Sequence, residues 1–246
     1  MPSVFSLFTR SALTTLATVG LLTVGTEDSQ AFTLGTPTAA QVEALNPETT
    51  YTAESRWGSG TVGGATFELD IHQIDENGGF VNDDQAEFDW VSGEAVDFSL
   101  MFDGMTLTYT VGNQVLSTTT TDNSFSEIYL RAAARKEGSS ILLSNLNLID
   151  ETNSGALTNL DSSCSNGNGC GFFDAKYLHI THLTGAFTLT GQSTMVWDPN
   201  HLPRNSNLAY QIKLVPGTDT STPEPTALMG LGLISALGIR KIMTEA

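Results

Sequence analysis

Val96, Phe98, Leu100 and Phe102 alternate with Asp97, Ser99 and Met101; past Asp103-Gly104, Met105, Leu107, Tyr109 and Val111 alternate with Thr106, Thr108 and Thr110. A period of two sends successive side chains to opposite faces of a strand, which a helix cannot do. Two such runs joined by Asp-Gly specify an antiparallel hairpin, because the tight primed turn needs positive φ at both central residues. Gly112-Asn113 supplies a second turn into a strand over 114–118. One face of this meander is apolar and has to be covered by a second layer. The four side chains Phe98, Leu100, Leu107 and Tyr109 are therefore expected in the core.

The same period continues along the chain. Phe67, Leu69 and Ile71 alternate with Glu68, Asp70 and His72, and further strands are expected at 128–134, 141–149, 177–182, 186–190, 194–197 and 208–214. Ala132-Ala133-Ala134 also permits a short helix. About ten strands separated by Gly, Asn, Ser and Asp turns predict an all-β fold, an antiparallel β-sandwich of jelly-roll-like type, over residues 61–215. Residues 32–60 are rich in Thr, Ala and Gly and only weakly patterned. The absence of an internal repeat argues against a propeller or solenoid.

The two ends read differently. Residues 1–31 carry one cation at Arg10, an apolar stretch over 12–24 and then Ser29-Gln30-Ala31, the pattern of an N-terminal signal helix cut by signal peptidase after Ala31. A permanent signal anchor would be longer and less polar than a segment holding Thr14, Thr15, Thr18 and Gly20. After a Pro/Thr/Ser/Gly linker at 216–222, residues 223–246 open on Pro223-Glu224-Pro225, continue as an apolar run over 226–239 and close on Arg240-Lys241. As a C-terminal hydrophobic helix that run rises about 21 Å, against a bilayer core of about 30 Å. It is short for a permanent span, and the two cations keep the end cytoplasmic. An amphipathic helix packed on the domain is the alternative, but the apolar residues do not keep to one helical face.

This three-part order resembles the PEP-CTERM sorting signal, which a membrane transpeptidase called exosortase reads. The resemblance implies that Pro223, Glu224, Pro225, Arg240 and Lys241 form the sorting motif. It further implies a transient membrane anchor, cut near the proline pair, followed by passage to the cell surface or extracellular matrix. The tail is shorter than that pattern, has only two basic residues and carries acidic Glu245 near its end.

Between the two ends, the ten Lys/Arg of the chain less Arg10, Arg240 and Lys241 leave seven, and the twenty-seven Asp/Glu less Glu27, Asp28, Glu224 and Glu245 leave twenty-three. A body at about −16 repels phosphate backbones, which excludes nucleic acid as a partner. Cys164 and Cys170 bracket a Gly/Asn loop, the pattern of a local disulfide in an exported chain. A metal or redox pair is disfavoured by the five-residue gap and the lack of further sulfur or basic neighbours.

Signatures of hydrolase elbows, phosphate loops, dinucleotide folds and zinc proteases are missing, and no catalytic residue is assigned. On a strand His179 and His182 point to opposite faces, so one surface and one partly buried histidine are expected rather than a zinc pair. His201, beside Pro203, reads as a loop residue. Asp70, Asp75, Glu76, Asp83, Asp84, Glu87 and Asp89 offer oxygen ligands of the kind calcium takes, without the spacing of an EF-hand; a solvated acidic loop is the competing reading. Trp57, Trp90 and Trp197 suit either sugar stacking or a sandwich core.

The stretch from Phe88-Asp89-Trp90 to Asp97-Phe98, its hairpin, and Ser144-Asn145-Leu146-Asn147-Leu148 are similar to extracellular choice-of-anchor domains of the W subgroup. That resemblance covers roughly residues 60–215 and implies fold and location, not activity. The sequence thus reads as a non-catalytic exported surface or matrix protein without a cofactor. A carbohydrate-binding module acting on exopolysaccharide, with or without calcium, is the alternative, and a glycan hydrolase comes third. Exposed coplanar tryptophans mark the second reading, and a cleft with two facing carboxylates marks the third.

Overall fold

The computed structural model describes residues 32–217 apart from 46–47, 58–66, 76, 78, 166–167, 169 and 172–173. The first half of the described chain runs β1 (Thr33–Gly35), α1 (Ala39–Leu45), β2 (Tyr51–Arg56), β3 (Leu69–Ile74), β4 (Phe80–Ala86), β5 (Ala95–Phe102), β6 (Thr106–Val111) and β7 (Gln114–Thr119). The second runs β8 (Phe125–Ala134), β9 (Ser139–Asp150), β10 (Ser154–Ala156), β11 (Leu160–Cys164), β12 (Lys176–Thr181), β13 (Phe187–Val196) and β14 (Leu208–Pro216). Sheet I has the order β1-β12-β8-β14-β2-β3-β4, and sheet II the order β10-β9-β13-β5-β6-β7 with β11 also on β9. Every pairing between these strands is antiparallel.

The sheets pack face to face as an all-β sandwich. Phe98 of β5 meets Tyr210 of β14, and Phe102 of β5 meets Phe125 of β8, each with ring centroids 4.9 Å apart. Phe98, Leu100, Leu107 and Tyr109 are all buried in this core, as the alternation requires. The late strands complete sheets begun by early ones: β14 inserts between β8 and β2, and β13 between β9 and β5. At one side of the sandwich the Ser117 N–H of β7 donates to Asp84 Oδ2 of β4 at 3.0 Å, so the two edge strands guard each other.

The hairpin forms in the expected register, with Leu100 opposite Tyr109 and Phe102 opposite Leu107. Its turn sits one residue later than Asp103-Gly104. Only Gly104 has positive φ, at 97°, so the central pair is Gly104-Met105 with glycine first. Asp103 instead caps the turn, its Oδ1 accepting the N–H of Met105 at 3.0 Å and of Thr106 at 2.8 Å. Residues 132–134 are strand, and the two strands expected at 186–190 and 194–197 are merged in one, β13, which runs from Phe187 to Val196.

The sandwich takes in more chain than residues 61–215. β2 lies in the middle of sheet I, between β14 and β3, and is buried along its whole length. Its run Tyr51-Thr52-Ala53-Glu54-Ser55-Arg56 shows no apolar alternation because its outward side chains are polar yet covered by their neighbours. α1 opens with a reciprocal cap: the Gln41 N–H donates to Thr38 Oγ1 at 3.2 Å, and the Thr38 N–H to Gln41 Oε1 at 2.8 Å. Among the described residues no helix is long and apolar enough to cross a membrane.

Candidate functional site

The outward faces of the two sheets differ in kind. Along sheet I the outward positions include Glu54 and Arg56 of β2, Asp70 and His72 of β3, Glu127 and Arg131 of β8, His179 of β12 and Lys213 of β14. Along sheet II the register aligns Asn147, Thr190, Ser99, Thr110 and Val115 in one row, and Ile149, Thr188, Met101, Thr108 and Ser117 in the next. Among the described strand residues, the outward face of sheet II has charge only at Asp97 and Asp161. A chain with a net charge of −17 thus keeps one broad face nearly neutral.

That neutral face contains a trough of about 370 Å³, open to solvent, lined by Asp97, Ser99, Thr110, Asn145, Thr190 and Gln192 over the backbone of Phe98 and Gly191. It exists because β9 carries a bulge. Asn145 has a φ of 52°, and the register between β9 and β13 slips between Thr190 and Gln192. A bulge re-aims the side chain at the extra residue, here Asn145. Its amide donates to Gln192 Oε1 at 2.7 Å, and Gln192 Nε2 donates in turn to Asp97 Oδ1 at 2.8 Å. Gly191, opposite the bulge, is pressed from the core: a Cβ there would stand 2.6 Å from Leu146 Cδ2 and 2.8 Å from Phe98 Cζ. The trough is therefore an amide–carboxylate chain along one wall with hydroxyl groups on its floor.

The charged face of sheet I spends its groups on one another. His72 Nδ1 lies 3.0 Å from Asp70 Oδ1 and His179 Nε2 lies 2.7 Å from Glu127 Oε2, while Arg131 Nη1 donates to Gln211 Oε1 at 3.3 Å. Arg56 donates to the Phe67 carbonyl at 2.9 Å and stacks over the Phe67 ring. Burial pushes the Lys213 ammonium pKa down, Arg131 adds to this, and Glu54 opposes it. Burial, then the neighbouring Glu127 carboxylate, raises the Tyr129 phenol to about 12. Glu54 Oε1 is buried without a hydrogen-bond partner. Glu54 and Asp70 do face each other across β2 and β3, but under a nearly closed layer, with Glu54 at 7% and Asp70 at 2% exposure.

Among the described residues, the acidic side chains singled out in the sequence do not gather into one site. Asp70 pairs with His72; Asp75 caps its own turn by accepting the N–H groups of Asn77 and Gly79; Asp84 bonds β7. Glu87 lies near Glu68, whose hydrogen bond, followed by desolvation and the charges of Glu68 and Asp89, raises its pKa to about 7 against the pull of Arg56. Glu76 and the Asp83 side chain lie outside the described residues. The one grouping with metal-ligand proximity among the described residues is Glu137, Cys164 and Cys170, and its sulfurs are consumed in the Cys164–Cys170 disulfide, with Cα atoms 4.8 Å apart.

His179 is partly buried on β12, His182 is exposed just past it, and His201 is a loop residue bonded to Asp198 at 2.8 Å. The tryptophans form no platform. Trp90 is buried against Phe88, and Trp57 and Trp197 stack on each other at 4.6 Å at the margin of the core. Ala31 and the motif residues Pro223, Glu224, Pro225, Arg240 and Lys241 lie outside the described residues.

Sequence reasoning passed over Asn145, Gln192 and Asp97 as a group. Two signals were present: Leu143 and Leu146 are spaced by three instead of two, and a glycine interrupts β13 at 191. A strand glycine marks a bulge or close backbone approach. No protein-family model matches the chain, and no curated protein matches it.

Proposed function

We propose that this chain is an exported, non-catalytic cell-surface or matrix protein, a jelly-roll-like sandwich of the choice-of-anchor W type delivered by an exosortase-read tail. Signal peptidase removes residues 1–31 after Ala31. Residues 226–239 then hold the chain at the membrane until an exosortase-type transpeptidase cuts near Pro223-Glu224-Pro225. The nested pairing of late with early strands supports the jelly-roll reading. The observation that carries the non-catalytic reading is the use made of ionisable groups. Asp75, Asp103, Asp150 and Asp198 each accept backbone N–H groups of their own turns, and His72, His179 and His201 each rest on a carboxylate.

The disulfide suits an oxidising destination. Mass spectrometry of the surface-released protein tests the address: the expected species begins at Phe32 and ends near residue 223, and an intact C-terminus through Ala246 refutes it. Incubation of the purified chain with neutral and acidic polysaccharides tests the activity; release of new reducing ends refutes the non-catalytic reading. The trough on sheet II favours the glycan-binding alternative as a property of the same body.

A further inference from the structure

We infer that the trough on the outward face of sheet II is a binding site for a neutral pyranose of a polysaccharide, held by Asp97, Asn145 and Gln192. The inference goes beyond the sorting reading and does not depend on it, since binding by the purified chain is read whether or not the tail is cut. The hydrogen-bond inventory of the wall supports it. An amide side chain has two N–H donors and a two-lone-pair acceptor, and a carboxylate has two acceptor oxygens. The bonds from Asn145 to Gln192 and from Gln192 to Asp97 use one donor of each amide, the Gln192 oxygen once and Asp97 Oδ1. Asn145 Oδ1, one N–H of each amide and Asp97 Oδ2 keep capacity for a ligand.

These planar groups are held in place by each other and by the bulge. Paired donors and acceptors at fixed spacing match adjacent ring hydroxyls, each of which both donates and accepts. On the floor, Ser99, Thr110 and Thr190 add rotatable hydroxyls, and the threonine methyl groups provide apolar contact for ring C–H groups. At Phe98 and Gly191 the floor is bare backbone, because both positions turn toward the core. At about 370 Å³ the volume falls at the small end of ligand sites.

Charge selects among sugars. The lining contains one carboxylate and no cation, on a strongly negative body, so a uronate or sulfated chain meets repulsion without a compensating partner. A single carboxylate is also too few hard ligands to hold calcium in the trough. A shallow, wet, hydrogen-bonded site of this kind gives a dissociation constant on the order of 1 mM or tighter for a short oligosaccharide.

The test uses the full chain in a polyoxyethylene detergent, because glycosidic detergents would compete. Hexasaccharides of β-linked glucose, mannose, galactose and xylose are titrated by calorimetry, beside a hexauronate of the same length. At least one neutral series is expected to bind, with the uronate about tenfold weaker or more. Gln192→Ala and, independently, Thr110→Trp should each weaken that binding about tenfold or more. Thr119→Trp, on the same face beyond the trough, should leave it unchanged. If Gln192→Ala lowers the unfolding midpoint, Thr110→Trp decides. No neutral series binding tighter than about 10 mM, a uronate binding equally well, or binding that survives Thr110→Trp, each overturns the assignment.

Discussion

Ser55 Oγ of sheet I and Tyr109 Oη of sheet II meet at 2.6 Å in the middle of the sandwich, both residues fully buried. This is a polar rivet between two apolar faces. Tyr210 Oη and Ser193 Oγ lie in the same cluster without well-formed hydrogen bonds of their own. Burial raises the Tyr109 phenol well above its ordinary range and Tyr210 to about 12, so both stay protonated and neutral at any physiological pH. Tyr109→Phe strands the Ser55 hydroxyl and should cost about 1–3 kcal/mol in urea unfolding. Adding Ser55→Ala should recover part of that loss. A double mutant whose cost equals the sum of the singles would show that the two hydroxyls do not interact.

Gly191 is a second place where the core packing leaves no slack. The contacts awaiting a Cβ there are Leu146 Cδ2 at 2.6 Å and Phe98 Cζ at 2.8 Å, both from buried side chains. Gly191→Ala should therefore destabilise by about 1–3 kcal/mol through overpacking. Leu146→Val shortens the nearer neighbour, so it should cost less in the Gly191→Ala background than in the parent. A Gly191→Ala protein within about 0.5 kcal/mol of the parent would mean that the core yields more easily than its density implies.

The hairpin over 96–111 was legible because its inward residues are apolar and its outward ones are not, so the period survives intact in the sequence. β2 was not legible, because Thr52, Glu54 and Arg56 point outward yet are covered by neighbouring side chains of sheet I. Their burial depends on β3 on one side and on β14, more than 100 residues away, on the other, which local pattern cannot register. The short strands β10 and β11 draw their pairing from β9 and have too few residues to show a period. The trough was half legible. Gly191 and the three-residue step from Leu143 to Leu146 announce an irregularity, but only the register between β9 and β13 brings Asn145 to Gln192 and Asp97.

Asp150 gives the fold a defined acid limb. Burial pushes its pKa up, but the N–H groups of Thr152, Asn153 and Thr184 outweigh this and hold it below the ordinary 3.8. Near that pH the unfolded chain therefore binds more protons at this site than the native state does. The contribution is complete above the ordinary value and is lost as pH falls through the folded one. Asp150→Asn turns an N–H donor toward at least one backbone N–H and should cost about 1–3 kcal/mol at pH 7. Urea unfolding between about pH 2 and 7 should show a shallower acid limb in the variant. An identical limb in both proteins would assign the acid sensitivity to another carboxylate.

The disulfide should act locally. Cys164 ends β11, which pairs with the first half of β9, and its carbonyl accepts the N–H of Gly138 at 3.0 Å. Cys170 lies on the loop that follows, so the bond ties that loop to the edge of sheet II and not to a distant part of the chain. A ring this small restricts the unfolded state modestly, by about 2 kcal/mol in the chain-entropy model. Reduction, or replacement of both cysteines by alanine, should therefore lower stability by about that amount without abolishing folding. Hydrogen exchange should quicken along 160–164 while the hairpin over 96–111 keeps its protection. Two titratable thiols in the native purified protein, or equal loss of protection in the hairpin, would contradict a local tie at the sheet edge.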